Sequence, residues 1–240
     1  MRIKIFYGWY IVAAGLFLWA LNSGVFIYGF TTFIDPIVAT FGWSYAQISF
    51  ASSLRGLEMG ALNPLLGMAV DRWPSKILVL IGVIVFVLGV LLLSRATNLA
   101  MFYAGFLIMG LGGSLGLSMV ATAVVARWFK RNLGKASGVL YTGAGIGVLL
   151  IPLVTRMIDA YGWQTTLLGA AVVFLVFGIP LSFVFRSRPE EYGLLPDGKP
   201  QDDLRSSSPS QAYDFSVGVK EALKMRAFWH IGVAAMLQMS

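Results

Sequence analysis

An arginine and a glutamate stand three residues apart, at Arg55 and Glu58 in "SLRGLEMG" (Ser53–Gly60), inside a stretch that is otherwise apolar from Ser44 to Val70. An ionised side chain at the centre of a bilayer costs roughly 2.5–3.5 kcal/mol on insertion scales, so this pair has to be compensated or used. Its spacing puts both side chains on one helix face, where they can form an intrahelical ion pair. Two uses stay open. Arg55 can offer its fixed charge and planar fork of donors to an anion such as a carboxylate, with Glu58 pairing to it in one state and releasing it or taking up a proton in another. Alternatively, the pair is a structural clasp that fixes register. Gly56 and Gly60 form a G-x-x-x-G step that admits a neighbouring helix, and Asn63 and Pro64 continue the polar, kinkable stripe. Such a stripe cannot face lipid; it faces protein or a water-filled cavity.

Further polar groups fall at mid-depth of other apolar stretches. Asn22 is the foremost of these, because an amide in lipid needs a partner; Ser23, Ser114, Ser118, Tyr141 and Thr142 are lesser candidates. The chain has no cysteine and a single histidine, His230, which excludes disulfides, thiolate chemistry and multi-histidine metal clusters. With Glu58 the single acid inside the apolar stretches, no catalytic constellation, metal site or cofactor motif is present.

The elements that carry these residues are membrane helices. Of the 240 residues, 58% are hydrophobic and 12% charged, against about 25% charged in a soluble domain. Six segments approach the roughly 20 apolar residues that cross a bilayer: Gly8–Ile34, Ser44–Val70, Ile77–Leu93, Ala100–Ala126, Ala136–Val154 and Thr165–Phe185, with a seventh opening at Phe228. The first follows Arg2 and Lys4 as a signal peptide would, but it is too long and has no clear cleavage site, so it is read as retained. The aromatic groups "FYGWY", "FGW" and "YGW" before apolar runs read as an interfacial belt.

Charge sets the orientation. With the N-terminus cytoplasmic, fifteen Lys and Arg fall on the inner side and two, Arg95 and Arg156, on the outer side. This is the positive-inside distribution. It accounts for the net charge of +7 without nucleic acid, for which no basic groove with stacking aromatics is seen. The predicted organisation is a helical bundle over residues 1–185, a cytoplasmic linker rich in Pro, Ser and charge over 186–227, and the start of another helix over 228–240. Within the linker, Lys199–Gln211 reads as mobile and Asp214–Ala227 as a short surface helix.

After the second segment the chain reads "GMAVDRWPSK", Gly67–Lys76, which fits G-x-x-x-D-R-x-x-x-K. Gly67 admits a close neighbour, Asp71 can meet the positive N-terminus of a nearby helix, and Arg72 and Lys76 anchor the inner face. This motif, with these spans and a long central loop, resembles the major facilitator superfamily. "YGW" at the first helix, "ARWFKRNLGKASG" (Ala126–Gly138) and "RSRPEEYGLLPDG" (Arg186–Gly198) look like its monocarboxylate and oxalate/formate branches. The chain departs from the pattern at Pro74, where members usually have Gly, and has no Gly-Pro pair in the fifth helix, so antiport is not inferred.

The resemblance implies an all-α membrane fold: the six-helix N-terminal half of a twelve-helix architecture, itself a three-plus-three inverted repeat, plus the start of a seventh helix. It implies that Asp71 latches a helix of the other half in the outward-open state. The expected protein is a secondary transporter working by alternating access on a small organic anion such as a monocarboxylate, proton-coupled, in the plasma (inner) membrane. Arg55, Glu58, Asn22, Asn63 and Tyr141 are its substrate or coupling residues, and Gly67, Asp71, Arg72 and Lys76 its gating motif. Its partners are the bilayer, the substrate and a C-terminal half that this sequence lacks; it is read as a truncated chain. The alternatives are a drug or metabolite efflux porter, with Arg55–Glu58 as a clasp, and a non-transporting sensor or docking module.

Overall fold

A computed structural model describes residues 6–198. The seventh apolar segment and the Lys199–Ala227 portion of the linker lie outside them, as does the truncation reading.

Helix α1 (Tyr7–Asn22) passes into a π-helical turn at Ser23–Ile27, and α2 (Thr31–Phe41) completes the first span. Helix α3 (Tyr45–Arg72) is the second span and α4 (Ser75–Ser94) the third. The fourth runs from α5 (Leu99–Gly112) through a second π-helical stretch, Gly113–Met119, into α6 (Val120–Trp128). The fifth is divided into α7 (Leu133–Val148) and α8 (Ile151–Tyr161), and α9 (Trp163–Ser182) is the sixth.

Five of the six spans are long and apolar enough to cross a membrane. The second, α3, has the length, at 28 residues, but its Arg, Glu, Ser and Asn content keeps it out of that set. The first and fifth spans run past their predicted ends at Ile34 and Val154, to Phe41 and Tyr161. The polar residues Asp35, Thr155, Arg156 and Asp159 mask helix that is amphipathic near its end.

Helix ends follow local chemistry. Ser44 and Gln47 form a reciprocal capping box at the start of α3: Gln47 N donates to Ser44 Oγ (3.2 Å) and Ser44 N donates to Gln47 Oε1 (2.9 Å). Trp73 is extended (φ −108°, ψ 150°), as expected of a residue before proline, so Pro74 separates α3 from α4. Gly42 (φ 68°) and Gly162 (φ 80°) take the left-handed region in the turns of "FGW" and "YGW". The tryptophan of "YGW" does not join the expected belt. Trp163 is buried and donates from Nε1 to Thr40 Oγ1 (3.0 Å), while Trp43 stacks on Phe41 at 4.3 Å. These rings staple the ends of the first, second and sixth spans.

Two helix pairs meet backbone to backbone. A Cβ added at Gly82, Gly89, Gly112 or Gly116 would collide with main-chain atoms across the α4–α5 seam. Gly24, Gly143 and Gly147 are equally confined where α1 and its π turn meet α7. Small residues at such seams let helices pack closely where lipid supplies no hydrophobic drive.

The start of the expected linker is built into the bundle. The Arg186 guanidinium lies over the Tyr7 and Tyr192 rings, 4.0 Å from each centroid. Trp128 Nε1 donates to Arg186 O (2.8 Å), and Ser75 N donates to Ser187 Oγ (2.9 Å). Asp197, at φ 63°, accepts from the backbone N–H groups of Lys130 (3.1 Å), Arg131 (2.7 Å) and Asn132 (3.1 Å). Burial works against its charge, but these bonds prevail and hold the carboxyl below its ordinary range.

Candidate functional site

Arg55 and Glu58 sit on the face of α3 turned toward α5, and Gly110 makes room for them. A Cβ at Gly110 would lie 2.8 Å from Glu58 Oε2 and 3.5 Å from Arg55 Cγ. The intrahelical ion pair that their spacing suggested is not made: among the described residues, Arg127–Asp71 is the one pair within bridging distance. Arg55 Nε and Glu58 Oε2 are instead buried without a hydrogen-bond partner. Such groups are costly and are the ones in a native structure that call for an explanation.

The fourth span gathers the other candidates. Glu58, Asn63 and Ser114 line one narrow notch with Leu62, Leu66 and Leu111, with no room for a water molecule. On the neighbouring position, a Cβ at Gly113 would lie 3.6 Å from Asn22 Oδ1. Gly110–Ser114 therefore links Asn22 of the first span with Arg55, Glu58 and Asn63 of the second, at the junction where α5 becomes π-helical. Turns of this kind occur often at functional sites.

Tyr141 lies on a different level. Its ring meets Trp19 edge-on at 5.4 Å, and its hydroxyl is 3.3 Å from Thr122 Oγ1. Thr122 is eight residues beyond Ser114, about 12 Å along a helix. A polar track joins the two levels: Thr122 Oγ1 donates to Ser118 O (3.0 Å) and Ser118 Oγ donates to Ser114 O (3.1 Å). Thr122 was not singled out from sequence, although its four-residue spacing from Ser118 and Ser114 was a signal; Gly110 reads there as one packing glycine among Gly112, Gly113 and Gly116.

In the loop motif, Arg127 Nη2 donates to Asp71 Oδ1 (2.8 Å) and to Val70 O (3.1 Å). The partner of Asp71 is thus a cation at the end of α6, which the motif alone did not name. With 78% of the Asp71 side chain exposed, most of the carboxylate is still open. Arg72 lines a polar pocket with Trp73, Arg127, Arg188 and Glu191. Lys76 is exposed, and Gly67 faces Met119, 3.6 Å from a notional Cβ.

A cavity of about 310 Å³ lies apart from these groups, between the first, fifth and sixth spans. Its one hydroxyl, Thr166 Oγ1, is already donated to Gly162 O (2.9 Å), so nothing there orients an anion.

The chain matches the Major Facilitator Superfamily over residues 7–240. It belongs to that superfamily. It is an integral membrane protein of a transporter family, not an enzyme, and the bundle is the N-terminal half of the superfamily fold. It is similar to the fujikurins efflux protein of Gibberella fujikuroi, with 29% identity over 62% of this chain and 32% of that protein. It is similar to the oxalate:formate antiporter of Oxalobacter formigenes (25%, over 74% and 42%) and to monocarboxylate transporter 13 of Bos taurus (30%, over 70% and 40%). In fold it is similar to a bacterial homologue of the human lysosomal transporter Spinster, with a TM-score of 0.65, 14% identity, and coverage of 92% of this chain and 49% of that one. The chain spans about a third to two fifths of the length of these curated relatives.

Proposed function

We propose that the chain supplies one half of a secondary transporter that moves a small organic anion, of monocarboxylate size, by alternating access and with proton coupling. Arg55 is its cationic anchor. The observation that carries this reading is the unpartnered state of Arg55 Nε and Glu58 Oε2. A clasp kept for stability would have its bonds made, since a buried ion pair adds stability only with good geometry and satisfied partners. An Arg fork with free donors suits a carboxylate. Glu58, beside it, is the group that gains or loses a proton as the anchor is filled or vacated.

Asn22, Asn63 and Tyr141 complete the lining on this side, and a C-terminal half supplies the opposite wall. The open faces of α3 at Gly56 and of α7 at Gly145, where a Cβ would meet nothing within 4 Å, suit its approach. Asp71 is the gating latch, shared between Arg127 within this half and a helix end of the other. The end bearing Asp71 and Arg127 is cytoplasmic, as is the N-terminus, and the membrane is the plasma (inner) membrane.

The test is uptake of labelled formate, acetate and lactate by proteoliposomes holding the protein expressed from its full reading frame. Uptake is expected to fall to background in both Arg55→Ala and Arg55→Lys, and Glu58→Gln is expected to lose the response to a pH gradient. Undiminished uptake in Arg55→Ala would remove the anchor. A second reading, efflux of a hydrophobic metabolite with the pair as a clasp, has the resemblance to the fujikurins efflux protein behind it. Transport of an apolar probe that is indifferent to Arg55 would establish it.

A further inference from the structure

Arg95 is one of two cations that charge placement leaves on the sparsely charged end of the bundle. It ends α4, is exposed, and makes no ion pair among the described residues. It also heads a surface groove of about 450 Å³ whose other walls are Leu88, Leu91, Leu92 and Met101. The groove has a charged mouth and an apolar floor. At 1.5 Å per residue, Leu88 lies about 10 Å deeper along α4 than Arg95, the step from a headgroup to the upper part of an acyl chain. Leu88 and Leu91 are exposed on a helix apolar enough to span a bilayer. Asn98 Oδ1 is engaged as the cap of α5, accepting from Met101 N (2.8 Å), and the cation that lines the groove is Arg95. No acidic side chain lines the groove.

We infer that this groove on the third and fourth spans is a phospholipid site. Arg95 holds the phosphate, and Leu88, Leu91 and Leu92 hold the first part of one acyl chain. Its occupant is a membrane lipid of the leaflet at that end, and the site is separate from the Arg55 region.

The protein, expressed from its full reading frame and purified in mild detergent, is titrated with phosphatidylglycerol, and bound lipid is counted by native mass spectrometry. One lipid is expected to be held in the wild type. Arg95→Ala is expected to weaken its retention about fivefold, the factor for losing one cation at a lipid surface, with Arg95→Lys close to wild type. Leu88→Ser with Leu92→Ser, which keep the charge, are expected to weaken it as well. Retention unchanged in Arg95→Ala would overturn the site. Displacement of the lipid by millimolar inorganic phosphate would also overturn it, by showing a phosphate site without a chain groove. Arg156→Ala is the control; equal loss there would mean diffuse charge attraction and would equally overturn the assignment.

Discussion

Glycine does two opposite things in this bundle. Along the α4–α5 seam and where α1 meets α7, glycines stand in backbone contact with a neighbour and leave no space for a methyl group. Along α3 and the outward side of α7, Gly56, Gly134, Gly138 and Gly145 have open space where a Cβ would go. The first set allows helices to pack in backbone contact. The second leaves two helix faces smooth and uncovered. The polar pair Arg55–Glu58 belongs to the helix with the open face, and it rests on Gly110 of the fourth span, whose next turns make the α4–α5 seam. The open face and the close-packed seam therefore meet at the candidate site.

This contrast can be broken by substitution, with thermal unfolding of the purified protein as the measurement. Gly82→Ala puts a methyl group against the Gly116 backbone and is expected to cost about 1–3 kcal/mol, the usual range for overpacking. Asp197→Ala removes the acceptor for three backbone N–H groups, and a loss of about 1 kcal/mol is expected by analogy with helix caps. Asp71→Ala breaks a pair that is largely solvated on the carboxylate side, so a loss under about 1 kcal/mol is expected, with the larger effect on the rate of transport. Gly56→Ala is expected to fall within about 0.5 kcal/mol of wild type. A Gly56 variant as unstable as the Gly82 variant would end the distinction; a stable Gly56→Leu that fails to transport would sharpen it.

Asp197 also gives a pH signature. Its carboxyl is held below the ordinary range, so its contribution is present above about pH 3.9 and is lost as pH falls through the lowered value. Protease cleavage within residues 186–198 is expected to accelerate on acidification, and in Asp197→Ala to be fast already at neutral pH.

Much of this was legible in the sequence, for definite reasons. Apolar length finds all six spans, including Ser44–Val70 with its charged pair. The charge split and the Gly67–Lys76 motif identify the superfamily. What escaped depends on direction and on backbone partners. Three-residue spacing places Arg55 and Glu58 on one face, but it does not say that both side chains settle toward Gly110 rather than toward each other. The π turns at Ser23–Ile27 and Gly113–Met119 were not marked by apolar periodicity, which reads straight through them. "RSRPEEYGLLPDG" has the composition of a loop, and the main-chain donors that Asp197 finds at Lys130–Asn132 are available to any sequence with that backbone shape.

The anchoring of Asp197 has a mechanical consequence. A tether is measured from where it is fastened, and this one is fastened at the first turn of the fifth span, not at the end of the sixth. Residues 186–198 therefore bridge the end of the sixth span and the start of the fifth. A pull on this segment is thus borne by two spans at once, and the sixth cannot shift along its axis without loading the first turn of the fifth.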